Sequence, residues 1–256
     1  MLKYNPNDVI FDIETEGATT LEFIQEIYPP YPQFVPQGVK CGNLKTEEEK
    51  AAKIEAARQE HAAQEAAHWE EKLEKAALNA ETGRVVTIGY LRADAPDEAA
   101  VLDDADFDEV RLLKRFWAAY RRTRSERGAF VGWNSNGFDL PYLVKRSWML
   151  GVPVPCDVYR GRWIADCWVD LMQVWTCHGF KQWVKLDVCA RVLGLGNKTD
   201  QECCGAEFAA WYRDPARRAE AEHYGKLDLT LTRAIYLKLA GVAKPIRQNE
   251  ELEVVS

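Results

Sequence analysis

The stretch Asp8-Val9-Ile10-Phe11-Asp12-Ile13-Glu14 is an apolar, β-branched and aromatic run that carries acids at alternate positions. Such a run reads as a strand. Side chains alternate faces along a strand, so Asp12 and Glu14 point the same way. Two carboxylates on one face amid Ile10, Phe11 and Ile13 are costly to bury unless something compensates them. A divalent cation is the usual compensation, and exposure to water at a sheet edge is the plain alternative.

Further strands are predicted at residues 83–93 (GRVVTIGYLRA), at 100–103 after the turn Ala95-Pro96-Asp97, at 129–133 (AFVGW) and at 163–172 (WIADCWVDLM). Residues 106–124 place Phe107, Val110, Leu113, Phe116, Trp117 and Tyr120 at helical spacing. Their basic tail, RRTRSER, suits the negative end of a helix dipole, with phosphate contact as the alternative. More helices are expected from Asp139 to Leu150, over 186–195, and over 214–241, where Asp214-Pro215 forms the start.

Prolines 29, 30, 32 and 36 make an extended excursion after the first strand. Thr46-Glu47-Glu48-Glu49 is then a capping box, and neither Gly nor Pro follows until Gly83, so one long helix is predicted over 46–78. Its large apolar residues are few: Ile54, Trp69 and Leu73. It reads as a solvated helix packed on one side, or as an arm for a partner or nucleic acid. Strands first, then strand–helix alternation, predict an α/β layer fold with a mixed sheet.

A chain of 256 residues suits one domain, and its nine tryptophans argue against extensive disorder. No run of about 18 apolar residues and no signal-like N-terminus appears, so a soluble cytoplasmic protein with no membrane partner is expected. The seven cysteines form no CxxC pair. Cys177-His178 and Cys203-Cys204 lack zinc-ligand spacing, and the thiols are expected to be reduced. A net charge of −7 does not suggest a dedicated nucleic-acid binder. Metal-bound carboxylates, however, can present local positive charge to phosphate.

Asp139 follows the strand 129–133 and the turn Asn134-Ser135-Asn136-Gly137, where its simplest role is a helix N-cap. The surrounding pattern is more particular than a cap requires. FDIET (11–15), GWNSNGFDLPYL (132–143) and HYGKLD (223–228) resemble, in order, the three motifs of the DEDD (DnaQ-like) 3′→5′ exonucleases. They are most similar to the DEDDy-type proofreading domain of family B DNA polymerases and its stand-alone phage and bacterial relatives. VDLMQVW (169–175) and KLDVCARVLGLGNK (185–198) also resemble that lineage, so the likeness touches most of the chain outside 44–80.

The resemblance implies a single ribonuclease H-like domain over 1–256, with a mixed sheet flanked by helices and a long helical insertion at 44–80. It implies that Asp12, Glu14, Asp139 and Asp228 hold two divalent ions, Mg²⁺ or Mn²⁺. The implied reaction removes nucleoside 5′-monophosphates from single-stranded or frayed 3′ ends of DNA. Elementary chemistry agrees, because paired ions about 3.5 to 4 Å apart both generate a nucleophile and neutralise the transition state. By the same resemblance Thr15, Asn134 and Phe138 contact the substrate, although Asn134 also suits a turn and Phe138 a core. Lys145, Arg146, Arg160, Arg162, Lys181 and Lys185 are scattered candidates for phosphate contact.

The remaining residues leave no room for polymerase palm and fingers, and the Ala-rich acidic helix is foreign to the proofreading domain. Stand-alone action beside a separate polymerase or repair complex is the implied role. Alternatives are an exoribonuclease using the same acids, and a catalytically inactive nucleic-acid-binding module.

Two rings precede Asp228: His223 by five positions and Tyr224 by four. At about 100° per residue, Tyr224 lies roughly 40° from Asp228 around a helix axis and His223 roughly 140° away. A continuous helix therefore selects Tyr224 as the active-site ring, as does the Tyr-x-x-x-Asp pattern of the resembled family. Gly225 leaves His223 as the alternative if it breaks the helix.

Overall fold

A computed structural model describes residues 2–42, 44–179, 182–196, 203 and 205–242. Lys181, Cys204 and the tail of the 185–198 motif lie outside the described residues. The strands are β1 (Val9–Gly17), β2 (Gly83–Arg92), β3 (Val101–Asp103), β4 (Phe130–Gly132), β5 (Tyr159–Arg160), β6 (Trp163–Ile164) and β7 (Trp168–Asp170). Five of them form one sheet in the order β3-β2-β1-β4-β7, while β5 and β6 pair as a separate ribbon. β4 runs parallel to β1 and to β7, and β3 runs antiparallel to β2. The Ala93 N–H, just past the end of β2, bonds to the carbonyl of Asp8, just before β1, so these two strands are antiparallel. The result is a mixed sheet flanked by helices, the architecture that the motif resemblance implies.

The chain divides into two compact units, Met1–Thr15 with Val85–Ser256, and Glu16–Arg84. All three motifs fall in the first unit. Its central helix α3 (Glu109–Ser125) starts where the Asp108 carboxylate caps the Arg111 N–H, at 3.0 Å. Phe107 therefore precedes the helix rather than belonging to it, and packs on the Tyr212 ring instead. α3 buries Leu112, Leu113, Phe116, Trp117 and Tyr120. These meet Phe11, Phe130 and Trp168 from three adjacent strands in one aromatic cluster, with Tyr120 and Trp168 stacked at 5.0 Å.

α4 (Asp139–Met149), α5 (Leu171–Trp175) and α6 (Leu186–Val192) follow the parallel strands. The strand expected over 163–172 is split. Trp163 and Ile164 belong to the ribbon, whose turn passes through Gly161 at φ 60°, and Asp170 ends β7 by capping α5 through the Met172 N–H at 3.0 Å. α7 (Gly205–Arg213) has no counterpart in the sequence reading. α8 spans Arg218–Leu239 rather than 214–241. The start is later because Asp214 forms a turn, its carbonyl accepting from the Arg217 and Arg218 N–H groups. α8 buries Leu229, Leu231, Ile235 and Tyr236 in a cluster with Ile10 and Val131. At Gly89 on β2 a Cβ would sit 2.8 Å from Leu229, so glycine there lets helix and strand approach closely.

In the second unit, α1 (Leu21–Ile27) and the proline-rich segment accompany α2 (Glu47–Glu74). The capping box forms as read: Thr46 Oγ1 accepts from the Glu49 N–H and the Glu49 carboxylate accepts from the Thr46 N–H, both at 3.1 Å. The Tyr31 ring lies 5.2 Å from both His61 and His68, one helical face apart by seven residues, and Ile24, Trp69 and Ala76 form the small core. α2 is thus packed along one side by its own unit.

Because Phe116 touches rings from three strands, Phe116→Ala should destabilise the protein by about 3–5 kcal/mol in urea unfolding, the range for an aromatic deleted from a packed core.

Candidate active site

β1 pairs with β4 through Val9–Phe130 and Ile10–Val131, and β4 ends at Gly132. β1 continues past that ladder. Its acids, Asp12 and Glu14, project there half-buried, while Phe11 and Ile13 face the core. Gly132 permits this crossing, because a Cβ would fall 3.2 Å from the Phe11 carbonyl oxygen and 2.6 Å from Ser135.

The turn after β4 is built by an aspartate that sequence reading passed over. Asp170 Oδ1 accepts from the Asn134 N–H and Oδ2 from the Asn136 N–H, both at 3.1 Å, while Oδ1 also takes the Met172 and Gln173 N–H groups. One buried carboxylate thereby fastens the 134–137 turn to β7 and starts α5. Its position before an apolar helical run was the available signal. Asn134 itself sits at φ 58°, a left-handed conformation that asparagine tolerates.

The turn delivers Asp139 to the first position of α4, where Phe138, not Asp139, is the N-cap. The Asp139 carboxylate does something else: its Oδ1 accepts the Ile13 N–H at 3.1 Å, between Asp12 and Glu14. Asp139 is almost wholly buried, and burial, reinforced by the charges of Asp170 and Asp228, pushes its carboxyl up to about 7, with the Ile13 bond opposing.

α8 supplies the remaining groups. One carboxylate oxygen from each of Asp12, Glu14 and Asp228 lies within 4.8 Å of the others. Three of the four expected acids therefore converge, and Asp139 stands beside them, coupled to Asp228 through charge. The helix runs unbroken through Gly225. Glycine serves packing at that position, since a Cβ would meet Leu102 of β3 at 3.1 Å and Phe208 of α7 at 3.4 Å. With no break, His223 is exposed and turned away. Tyr224 is half-buried against Phe208, and burial, then the charges of Asp228, Glu14 and Asp12, raise its phenol well above the ordinary value.

The other candidates are distributed unevenly. Thr15 is half-buried beside Glu14, and Phe138 is half-buried with its ring 5.5 Å from Tyr142. Arg146 is held by Glu109 in a two-pronged ion pair at 2.6 and 2.9 Å, so its guanidinium belongs to the scaffold. Arg160 faces Asp166 at 3.4 Å, Arg162 lies over the Trp163 ring, and Lys145 and Lys185 are exposed.

The donor set fits a hard divalent cation. All the converging atoms are carboxylate oxygens, the ligands that Mg²⁺ and Mn²⁺ prefer, and burial, with the charges of Asp170 and Asp228 added to it, raises Asp139 in a way that such an ion would offset.

A family model described as a predicted 3′-5′ exonuclease related to the exonuclease domain of PolB matches residues 76–256. The chain belongs to this family. No curated protein matches it. Among solved structures, it is similar to the family B DNA polymerase from the hyperthermophilic archaeon Pyrobaculum calidifontis. The identity is 26% and the TM-score 0.49, over 61% of this chain and 22% of the polymerase. The chain thus spans about a fifth of that polymerase's length. Among its described residues, no helix is long and apolar enough to cross a membrane.

Two outcomes follow for this protein. Asp170→Ala removes the acceptor of four N–H groups and should cost about 3 kcal/mol in urea unfolding; Asp170→Asn should cost less, because its amide oxygen can retain the three bonds made by Oδ1. For Asp139, a folded-state pKa raised from 3.8 to about 7 means that stability is complete below pH 3.8 and is lost as pH rises through about 7. In EDTA, Asp139→Asn should therefore match or exceed the wild-type Tm at pH 8, and the advantage should vanish toward pH 4. Adding Mg²⁺ at pH 8 should raise the Tm of wild type more than that of the variant.

Proposed function

We propose that this protein is a divalent-metal-dependent 3′→5′ exonuclease acting on single-stranded or frayed 3′ ends of DNA and releasing nucleoside 5′-monophosphates. The observation that carries the reading is the convergence of Asp12, Glu14 and Asp228 oxygens within 4.8 Å, with Asp139 tethered alongside. Asp12, Glu14, Asp139 and Asp228 would hold the ions, which when bound lower the pKa of water and neutralise charge on the phosphate.

The protein's own groups then have distinct tasks. Hydrolysis joins the oxygen of water to phosphorus and breaks the P–O3′ bond, leaving the 3′ hydroxyl on the shortened strand. Tyr224, kept neutral by burial and by three nearby acids, can hydrogen-bond the attacking water and aim it, but is poorly suited to take its proton. An imidazole could do so, yet His223 faces solvent. Asp139 positions β1 through Ile13 as well as offering oxygens. Thr15, Asn134 and Phe138 are the proposed contacts to the terminal nucleotide, the half-exposed Phe138 ring offering a stacking surface. On this reading the protein acts alongside a separate polymerase or repair complex.

The test uses 3′- and 5′-labelled DNA and RNA oligonucleotides with Mg²⁺, Mn²⁺ or EDTA. Stepwise loss of 3′ nucleotides from DNA, abolished by EDTA and by Asp12→Ala, is expected. Preference for RNA would move the substrate assignment, and internal cuts or full activity of Asp12→Ala would reject the mechanism. Tyr224→Phe should slow cleavage about tenfold or more, whereas His223→Ala should change it less than about twofold; the reverse ranking would unseat Tyr224.

A further inference from the structure

The basic tail of α3 takes no part in the carboxylate site, which lies where β1 runs out past β4. At the opposite end, where β1 and β4 begin, a cavity of about 570 Å³ opens, bordered by Lys3, Tyr4, Asp8, Arg124, Arg127 and Val169. That volume is within the range of about 300–1,000 Å³ typical of small-molecule sites.

Three cations and two acids border it. Lys3, Arg124 and Arg127 form no ion pair among the described residues, although Arg124 Nη1 donates to the Gly128 carbonyl at 2.7 Å and its charge acts on nearby Asp8. Of the two acids, Asp8 is already engaged inside the fold, and Asp166 is exposed. Asp8 is buried, with Oδ2 accepting from the Tyr236 hydroxyl at 2.6 Å and Oδ1 from the Ala129 N–H at 2.8 Å. Asp166 faces Arg160.

The backbone adds an independent sign. α3 ends in a Schellman motif, with the Gly128 N–H bonded to the Thr123 carbonyl and the Arg127 N–H to the Arg124 carbonyl. The left-handed position of that motif strongly favours glycine, yet Arg127 occupies it, at φ 60°. The adjacent glycine cannot exchange places with it, because a Cβ at residue 128 would lie 2.2 Å from the Asn7 carbonyl oxygen. Arg127 thus stands at the border of the cavity in the position of the cap where glycine is usual.

We propose that this cavity binds a phosphate group, carried by a free nucleotide or by a nucleic-acid strand. Lys3, Arg124 and Arg127 meet the phosphate, and Tyr4 with Val169 forms the wall against sugar and base. The site is separate from the carboxylate cluster, and its existence does not depend on the nuclease reading.

Arg127→Gly tests this cleanly, because glycine suits the left-handed position and removes only the side chain. Titration calorimetry in EDTA would use two probes, dAMP and a short phosphorothioate oligodeoxynucleotide. Binding of either probe, weakened about tenfold by Arg127→Gly and further by Lys3→Ala/Arg127→Gly, with Tm unchanged or raised, supports the site. Binding of dAMP assigns it to free nucleotide, and binding of the oligonucleotide alone assigns it to the strand. No binding of either probe, affinities unchanged in the double variant, or a lowered Tm for Arg127→Gly would overturn the proposal.

Discussion

Carboxylates repel one another, and a fold that brings oxygens of Asp12, Glu14 and Asp228 within 4.8 Å has to hold them there. The holding is done by elements that are rigid for other reasons. β1 lies in the middle of the sheet, with Phe11 locked in an aromatic cluster, so its acids cannot retreat. α8 is packed against the sheet through Leu229 and Gly89, which fixes Asp228 one turn after Tyr224. Asp139 is tied to the strand itself by the Ile13 N–H. The resulting concentration of negative charge is what makes the site a natural host for divalent cations.

Charge is also distributed along the sheet in a way that the net value of −7 conceals. Acids gather where β1 extends beyond its neighbour, and Lys3, Arg124 and Arg127 gather where the strands begin. Asp8 and Asp170 are exceptions that serve structure: each is buried and each spends its oxygens on backbone or hydroxyl donors.

Much of the architecture was legible because it is local. The alternation in residues 8–14, the helical spacing before Tyr120 and the Thr46–Glu49 capping box all lie within a few residues of the structure they specify. The failures have a common origin in competition between local and distant partners. Residues 163–172 look like one strand, but Asp170 caps a helix and simultaneously binds a turn some 34 to 36 residues earlier. Asp139 has the sequence context of a cap, yet its carboxylate is claimed by Ile13, 126 positions away. Phe107 fits the helical pattern of α3, but Asp108 starts the helix after it.

The sequence by itself determined the periodicities, the caps and the phase of α8, since these depend on bond geometry repeated along the chain. Helix phase was enough to distinguish Tyr224 from His223 provided the helix continued. Only the tertiary structure decided that it does continue, because the role of Gly225 is set by Leu102 and Phe208, more than a dozen residues away on other elements. It likewise decided which acids share space and how strongly burial perturbs them, for charge interaction and desolvation depend on distance in space and not on separation along the chain.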